Sequence, residues 1–483
     1  MLHKSLLFFV SGLLFTACKD KDQLFKDAIC IQNITTIDAE AGAQENQTVV
    51  LQDEKIIKVA PTDELQLALE NNIIDGTGKF MIPGLWDAHV HFAYIEELAP
   101  AMFNLFLAYG ITSVRDTGGK TDFVKKWKDQ ADANPTEAPR VFFAGPLMDG
   151  MPNVYNGSTP ARPPLSVGLK DVEAAEQMAD ELIAQGVDLL KAYEMLSPEQ
   201  FKAIMKKAKE KDIIVTGHIP LSMDAITVAD LGMNSIEHLR NLEMSMAKDS
   251  EELLKMRQKL LELGKEEEGG VLRANIHQAQ RMEAIANADK EKTKAVLAAL
   301  KRNNTWQVPT LSIMTAVVDH PFANPEWKKS FDYLPESVGK KWTESLDRYL
   351  EREVPENQKV YAQWLYDMTK QMQEEKIGIL AGTDCPIFYL LPGLSLHGEL
   401  EFFSRAGMSP MEILKSATLS PAQYFDMEDE LGLIQEGMFA DLLLLDANPL
   451  EDIRNTQQIN TVIRHGKVYD REALKELLEE ASN

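Results

Sequence analysis

The sequence predicts an α/β fold, a (β/α)8 barrel of the TIM type with a small β-sandwich domain, on three observations. Short apolar strand patterns alternate with amphipathic helix patterns from about Met81 to Ala422, which is typical of a parallel sheet with helical crossovers. Eight such units fit a closed barrel with insertions better than an open sheet. Short β-rich runs occupy both ends of the chain, and we expect them to join beside the barrel.

Residues 1–18 predict a signal peptide. A basic start precedes an apolar run from Leu6 to Phe15, which is too short to span a bilayer as a mature helix. The following Thr16-Ala17-Cys18 resembles the cleavage box of bacterial lipoproteins, although Phe15 stands where that box usually has leucine. We therefore expect lipidation of Cys18 and anchoring in the bacterial cell envelope, on its periplasmic or surface face. An ordinary signal peptide with an incidental cysteine is the alternative.

Residues 24–82 and 430–470 are assigned to the composite β-sandwich domain. Gly437 and Gly466 mark turns in the second of these segments. One helical pattern stands among the strands, over Thr62–Asn71. The predicted strands are Ile29–Thr36, Gln47–Leu51, Lys55–Ala60, Ile73–Asp75, Lys79–Ile82, Asp441–Asp446 and a β-rich run over Gln458–Tyr469.

Residues 83–425 are assigned to the barrel. A long, charged and helix-forming insertion, residues 240–304, lies between the sixth and seventh predicted strands and fits either a lid or a packing arm. The eight strand candidates are Gly84–His91, Thr112–Asp116, Arg140–Ala144, Asp188–Tyr193, Ile213–His218, Ser235–His238, Gln307–Thr310 and Gly378–Asp384.

The charge of the chain bears on its partners. A formal net charge of −25 and a pI near 4.9 argue against nucleic acid and against an anionic membrane surface, because phosphates would be repelled. We expect a small-molecule substrate and contact with a membrane through the lipid anchor only. The quaternary state stays open and allows a homo-oligomer.

Metal-compatible side chains stand at the ends of five predicted strands. In a (β/α)8 barrel these strand ends converge on one pocket, and residues two apart on a strand share a face. Imidazole nitrogens suit zinc and related divalent ions, and a carboxylate completes an open site. One such residue alone is more often an ordinary hydrogen-bonded group, but six together predict a metal centre. They are His89, His91, Lys191, His218, His238 and Asp384.

Five segments carry a family resemblance: Pro83–His91, Gly110–Gly119, Ser235-Ile236-Glu237-His238, Gly382-Thr383-Asp384 and Ala440-Asp441-Leu442. Together and in this order they resemble the amidohydrolase superfamily. Within it they look like the branch of imidazolonepropionase-like and metal-dependent Xaa-Pro dipeptidase (prolidase) proteins. The resemblance covers nearly the whole mature chain, from about Ala28 to Asp470.

The resemblance implies a role for each candidate ligand. The two first-strand histidines would bind the more buried of two divalent ions, zinc being expected, and the histidines of the fifth and sixth strands would bind the second. Lys191 matches the lysine that the family carboxylates at its ε-nitrogen with carbon dioxide, so that a carbamate bridges both ions. An unmodified ammonium would be repelled by two cations. Asp384 would contact the first ion and handle protons.

The implied reaction is hydrolysis of an amide-type C–N bond. Two ions about 3.5–4 Å apart would hold a bridging hydroxide, which is a competent nucleophile at neutral pH. Asp384 would act as general base and then as general acid toward the leaving nitrogen. A dipeptide, an N-acyl amino acid or a cyclic amide would be the substrate.

Substrate contacts are predicted at two positions. Tyr193 shares a strand face with Lys191 and matches a family position that contacts substrate. Arg115 could pair with a substrate carboxylate through two hydrogen bonds, or belong to a structural network with Asp116 at the barrel rim. For His397 we expect a structural role.

Two departures from the family pattern concern the rim of the pocket. His218-Ile219-Pro220 replaces a His-Ala type segment, and the insertion 240–304 is longer than in compact members, so the resemblance does not fix the substrate even where it implies the metal chemistry. A mononuclear imidazolonepropionase-type or deaminase-type enzyme is one alternative function. A non-catalytic binding lipoprotein of the envelope is the other.

Overall fold

The computed structural model of this 483-residue chain describes residues 25, 27–67 and 71–482. The predicted signal peptide and its Cys18 lie outside the described residues. No helix within the described ranges is long and apolar enough to cross a membrane.

The strands are β1 (Ile29–Asp38), β2 (Gly42–Gln52), β3 (Lys55–Pro61), β4 (Asn72–Asp75), β5 (Phe80–Pro83), β6 (Leu85–Val90), β7 (Ile111–Asp116), β8 (Arg140–Phe143), β9 (Leu147–Gly150), β10 (Ser166–Leu169), β11 (Leu189–Ala192), β12 (Ile214–Gly217), β13 (Ser235–Glu237), β14 (Trp306–Val308), β15 (Leu442–Leu445), β16 (Ile459–Arg464) and β17 (Lys467–Tyr469).

The helices are α1 (Ala99–Ala108), α2 (Thr121–Ala133), α3 (Val172–Ala184), α4 (Pro198–Lys211), α5 (Ala225–Asp230), α6 (Leu242–Met246), α7 (Ser250–Leu263), α8 (Gly269–Ala286), α9 (Lys290–Arg302), α10 (Leu311–Met314), α11 (Ala316–Asp319), α12 (Pro325–Lys329), α13 (Glu336–Leu350), α14 (Glu356–Glu374), α15 (Leu394–Arg405), α16 (Pro410–Ser416), α17 (Leu419–Tyr424) and α18 (Arg471–Ala481).

The two ends of the chain meet in one mixed sheet. Its order is β17-β16-β15-β5-β1-β2-β3, with β4 parallel to β1. The antiparallel pair β5–β15, in register from Leu442 opposite Pro83, joins the two ends. Apolar residues of both ends share its core: Ile31, Val49 and Met81 lie in one buried cluster with Leu442 and Leu444, and their burial holds the ends together.

The helix predicted over Thr62–Asn71 is wrong for its described part. Only Thr62–Glu64 form a single 3₁₀ turn, and residues 65–67 are not helical. Leu65 and Leu67 pack instead against a small buried cluster on the sheet. Tertiary burial of these two side chains outweighs a weak local helix preference.

Parallel strands surround the candidate site. β6, β7 and β8 form one parallel sheet. A second parallel sheet has the strand order β10-β9-β11-β12-β13-β14, with β10 at its edge. The backbone N–H of Asp188, next to β11, donates to the Phe143 carbonyl of β8 at 3.0 Å. Crossover helices accompany the strands, and α4 begins with a capping box at Ser197 that fixes its start. The fold is therefore α/β and of the TIM-barrel type.

The eighth predicted strand, Gly378–Asp384, is not continuous. Leu380 N–H donates to the Gln307 carbonyl at 2.9 Å, and Asp384 N–H donates to the His89 carbonyl at 2.7 Å. This segment therefore divides its hydrogen bonds between β14 and the end of β6, and isolated bridges replace a regular ladder. The left-handed backbone at Asp384, with φ of 70°, ends any extended geometry there.

Candidate metal centre

Three of the predicted ligands lie within reach of one ion. His89 Nε2 and His91 Nε2 are 3.3 Å and 3.0 Å from Asp384 Oδ1. One ligand atom from each of these three buried residues lies within 4.8 Å of the others, so they could hold a metal ion. Two of these residues, His89 and His91, lie at the end of β6, where their spacing predicts that they share a face. The third, Asp384, lies in the segment beside that strand.

The remaining histidines complete a larger cluster. His238 Nε2 is 3.9 Å from Asp384 Oδ2, and the His238 ring centroid is 4.7 Å from that of His89 and 5.0 Å from that of His218. The ends of β6, β12 and β13 thus bring four imidazoles together, and the segment that ends at Asp384 adds one carboxylate.

Lys191 lies on β11 and is 1% exposed. Among residues 25, 27–67 and 71–482 its ammonium has neither a hydrogen bond nor an ion pair. Burial lowers the pKa of Lys191 to about 8, against the opposing influence of Glu237 and Asp384. A buried cation without a partner is costly.

The hydrogen bonds at Nδ1 fix the tautomers of the four histidines. His89 donates to Glu237 Oε2 at 2.5 Å, and His218 donates to Glu194 Oε1 at 2.7 Å. The other two rings donate to the Gly118 carbonyl at 2.9 Å and to the Thr310 hydroxyl at 2.6 Å. In a neutral ring with this tautomer Nε2 keeps its lone pair, which is the arrangement of metal-binding histidines.

Unpartnered atoms fit the same interpretation. His89 Nε2, His218 Nε2 and Asp384 Oδ1 are buried and accept no hydrogen bond from the described residues. Burial lowers the pKa of His218 to about 3, so this ring is neutral. For Asp384, burial alone would raise the pKa, but the histidine neighbours hold it well below its usual value. Imidazole nitrogens around a carboxylate form a donor set suited to a divalent cation.

Left-handed backbone occurs at three residues of this cluster. His238 and Asp384 have φ of 59° and 70°, and Thr310, which supports His238, has φ of 48°. Such left-handed conformations cost free energy in residues other than glycine, and they are frequent at functional sites.

A carboxylate on β13 supports His89 from behind. Glu237 Oε1 accepts hydrogen bonds from Arg115 Nη2 at 2.9 Å and from Thr216 Oγ1. Arg115 also donates to the Ala88 carbonyl and to Ser235 Oγ at 3.1 Å, and it is fully buried. These contacts favour the structural alternative for Arg115 over a substrate contact, with Glu237 in place of Asp116 as its partner.

A second carboxylate supports His218. Glu194, next to Tyr193, accepts a hydrogen bond at Oε2 from His277 Nε2 at 2.9 Å. Arg273 Nη1 is 3.6 Å from Glu194 Oε1 and donates to the Tyr193 hydroxyl at 3.1 Å. His277 and Arg273 both lie on α8, inside the insertion. The Tyr193 ring lies 4.3 Å from the His218 ring and is tilted against it, so Tyr193 lies beside the cluster; its contact with substrate stays a prediction.

Sequence reasoning did not select these supporting residues. Glu237 directly precedes His238 and Glu194 directly follows Tyr193, so both stand at strand ends where a search for carboxylates could have found them. His277 lies within a helical pattern of the insertion and gives no such signal. His397 has the structural role expected of it, since its Nε2 donates to the Tyr109 carbonyl at 2.9 Å.

The family model described as "Amidohydrolase family" matches residues 80–255 and 354–469. The chain belongs to the amidohydrolase family. Its members generally bind metal ions, and the two matched ranges contain all six residues that the strand ends predicted as ligands.

Curated relatives match shorter segments. An ochratoxinase from Aspergillus niger is 35% identical over 98 residues, 19% of this chain and 19% of that protein. An adenine deaminase from Desulforamulus reducens is 24% identical over 207 residues, 41% of this chain and 33% of that protein. This chain therefore aligns with well under two thirds of the curated relatives it matches.

Solved structures match over nearly the full length. A candidate prolidase from Bifidobacterium longum is 25% identical, with a TM-score of 0.64, over 94% of this chain and 99% of its own. A Xaa-Pro dipeptidase with bound methionine in its active site is 20% identical, with a TM-score of 0.64, over 92% and 100%. The A. niger ochratoxinase structure is 20% identical, with a TM-score of 0.61, over 92% and 96%. The structural neighbours are thus prolidase-like and amidohydrolase proteins.

Proposed function

We propose that this protein is a metal-dependent hydrolase that cleaves an amide-type C–N bond and holds two divalent ions, zinc in the first instance. The observation that carries the proposal is the cluster of four buried histidines beside Asp384, in which His89 Nε2, His218 Nε2 and Asp384 Oδ1 have no hydrogen-bond partner among the described residues. The family supports hydrolysis, and the names of the relatives support an amide-type bond.

The ligand set comes from the ends of four strands and from the segment that ends at Asp384. His89, His91 and Asp384 would hold one ion, and His218 and His238 would hold the other. Bound ions would supply Lewis acidity toward the scissile carbonyl and a water of lowered pKa.

Asp384 would transfer the proton. The neighbouring histidines hold the pKa of its carboxyl group well below the usual value, so a carboxylate oxygen that is not bound to an ion can accept a proton from an attacking water. The same atom can then deliver that proton to the leaving nitrogen.

Lys191 would become a carbamate. Its burial without a partner favours any chemistry that removes the positive charge, and addition of carbon dioxide at the ε-nitrogen would turn a cation into an anionic ligand. Mass spectrometry of the intact protein, under conditions that preserve carbamates, should find the added mass of carbon dioxide on Lys191.

A mononuclear deaminase-type enzyme is the second candidate. Only His89, His91 and Asp384 meet within 4.8 Å among the described histidines, cysteines and acids, and an adenine deaminase is among the relatives. One tightly bound ion per chain with unmodified Lys191 would favour this candidate over the binuclear one.

The proposal also includes the architecture and the cellular location that the sequence predicts. Residues 83–425 would form a complete (β/α)8 barrel, supported by the parallel pairing around the site, and residues 24–82 with 430–470 a sandwich built on the terminal sheet. The protein would be anchored in the bacterial envelope through a lipid on Cys18, with a small molecule as its substrate and self-association left open.

The test is a substrate screen of the metal-loaded form that lacks residues 1–18. Dipeptides, N-acyl amino acids, cyclic amides and adenine should be compared, with metal content measured on the same sample. Turnover that depends on metal and is lost in His89→Ala supports the proposal. Full turnover by a metal-free sample, or by His89→Ala, contradicts it. Loss of metal with no turnover in any class leaves the non-catalytic binding protein as the better explanation.

A further inference from the structure

One buried carboxylate holds a loop beside the candidate centre. Residues 151–165, which we call the rim loop, lead from β9 to β10. Asp149 lies on β9, two residues before this loop, and it is fully buried. No cation lies within ion-pair distance of its carboxylate in residues 25, 27–67 and 71–482. The groups that stabilise its charge are therefore hydrogen-bond donors.

Three backbone N–H groups donate to this carboxylate. Oδ1 accepts from Met195 at 2.7 Å and from Gly150 at 3.0 Å, and Oδ2 accepts from Val154 at 2.9 Å. Met195 follows the end of β11, and Val154 belongs to the rim loop. At Gly150 a Cβ atom would lie 1.9 Å from the Met195 carbonyl oxygen, so only glycine allows this close approach. Asp149 thus ties the start of the rim loop to the segment after β11.

The carboxylate occupies a position where its charge is costly. Burial raises the pKa of Asp149 to about 7, although the three N–H groups lower it. An apolar side chain could fill the space without this cost, but it would deprive the N–H groups of Val154 and Met195 of their acceptor. The hydrogen bonds to the loop are therefore what a carboxylate provides here.

The rim loop brings an aromatic side chain to the centre. Tyr155 follows Val154 directly, and its ring centroid lies 6.0 Å from that of Tyr193. The Arg273 guanidinium lies 5.9 Å from the Tyr155 ring and donates to the Tyr193 hydroxyl at 3.1 Å. The Tyr193 ring in turn lies 4.3 Å from that of His218. Tyr155, Tyr193 and Arg273 thus form one wall beside a predicted metal ligand.

A second attachment of the rim loop lies near the surface. Arg162 forms an ion pair with Glu268, which precedes α8, and the two side chains are 23% and 27% exposed. Ser158 Oγ donates to the same carboxylate at 3.2 Å. Ion pairs that remain in contact with water contribute little to stability. The buried bonds of Asp149 are therefore the stronger attachment of the loop.

Resting on the function proposed above, we propose that Asp149 is a positioning residue for the substrate pocket. It holds the rim loop on the end of β11, so that Tyr155 and Tyr193 form one wall beside the metal centre. Asp149 itself touches neither the predicted ligands nor the substrate. Its replacement therefore loosens the wall while the ligand set stays in place, and the effect falls on substrate binding more than on the chemical step.

Hydrogen exchange measured by mass spectrometry tests the attachment without any substrate. In Asp149→Asn one carboxylate oxygen becomes an NH₂ group, which cannot accept a hydrogen bond. The amides of residues 150–155 and of Met195 should then exchange about 10- to 100-fold faster, the range for a lost hydrogen bond to a charged group.

Two control variants locate the effect. Asp188 precedes β11 at its other end, and its carboxylate accepts the Phe143 N–H at 3.0 Å. Asp188→Asn therefore makes the same chemical change away from the rim loop and should leave exchange in residues 150–155 as in wild type. Arg162→Met removes only the surface attachment and should accelerate exchange in the loop about threefold or less.

Kinetics test the positioning role. With the best substrate of the screen, Asp149→Asn should raise KM about tenfold, change kcat much less and retain the wild-type metal content, as expected when a binding contact is lost. Tyr155→Leu should also raise KM, and it leaves the hydrogen bonds of Asp149 in place. If Asp149 acts through Tyr155, the double variant should show a KM close to that of Tyr155→Leu alone.

Each measurement has an outcome that overturns the proposal. Unchanged exchange in Asp149→Asn, or an equal acceleration in Arg162→Met, removes Asp149 as the main attachment of the loop. A KM effect that adds in full to that of Tyr155→Leu, or loss of metal in Asp149→Asn, removes the positioning role. An unchanged KM in Tyr155→Leu does so even if Asp149→Asn fails to fold. Because exchange needs no turnover, faster exchange in a chain that hydrolyses nothing supports the attachment and counts against the proposed function alone.

Discussion

Two buried carboxylates each accept a hydrogen bond from Nδ1 of a predicted ligand, but different parts of the chain support them. Glu237 holds His89 and is fixed by Arg115 and Thr216, which lie on β7 and β12. Glu194 holds His218 and is fixed mainly by the insertion, through His277 on α8. We call these the strand side and the insertion side of the centre.

The difference shows what the insertion does. A lid would close over a site that is complete without it, whereas α8 supplies hydrogen bonds that orient a predicted ligand. Behind His277, Arg281 donates to His277 Nδ1, and Arg257 donates to Gln280 at 2.7 Å and to Asn241 at 3.2 Å. Of the two roles that the sequence left open, the packing arm agrees with these contacts, and it also carries polar groups to the site.

The largest effect is expected at Asp384, where the two sides meet. Asp384→Asn keeps a ligand oxygen but cannot accept a proton, so kcat should fall by about 10²–10⁴. Stopped assays on metal-loaded protein, with metal content measured in parallel, test this. A variant that retains metal and more than half of the wild-type kcat would remove Asp384 from proton transfer.

On the strand side, Glu237→Gln should destabilise the whole protein. It leaves the buried Arg115 charge without its partner, which typically costs about 3–5 kcal/mol. Chemical denaturation gives the free energy of unfolding. Glu399→Gln is the matched control, because Glu399 is buried beside the backbone N–H groups of Leu311 and Ser312 without a cation, and burial raises its pKa to about 8. An equal loss in both variants would contradict the special role of the Arg115 pair.

On the insertion side, Glu194→Gln should mainly lower the affinity for metal ions. Its effect on the free energy of unfolding should be smaller than that of Glu237→Gln. Loss of an outer carboxylate that orients a ligating histidine typically costs about 10–100-fold in affinity. Competition with a zinc chelator measures the loss, and Glu243→Gln, which breaks only the pair with Arg281, is the control. If Glu194→Gln destabilises the fold as strongly as Glu237→Gln, the two sides form one unit and the comparison fails.

The smallest effect is expected at His397, outside both sides. Burial lowers the pKa of His397 from 6.5 to about 4, so the unfolded chain binds a proton there at pH values where the folded protein does not. The contribution to stability is present above pH 6.5 and is lost as the pH falls toward 4. His397→Gln should reduce the slope of unfolding free energy against pH in this window by at most one proton, about 1.4 kcal/mol per pH unit. An unchanged slope would contradict the assignment.

The sequence predicted the strands around the site because their signals are local. Seven of the eight strand candidates correspond to β6, β7, β8, β11, β12, β13 and β14 within a few residues. The eighth failed because its hydrogen bonds depend on two different neighbours. The helix over Thr62–Asn71 failed because burial of Leu65 and Leu67 is a tertiary effect.

By itself, the sequence determined the strand ends and the residues that stand on them, since apolar periodicity and the His89/His91 spacing are properties of short segments. Only the tertiary structure decided which nitrogen of each imidazole is free and which carboxylate fixes it. The bond from His89 to Glu237 spans 148 positions and that from His277 to Glu194 spans 83. Such contacts depend on how strands and helices pack, and no local pattern encodes them.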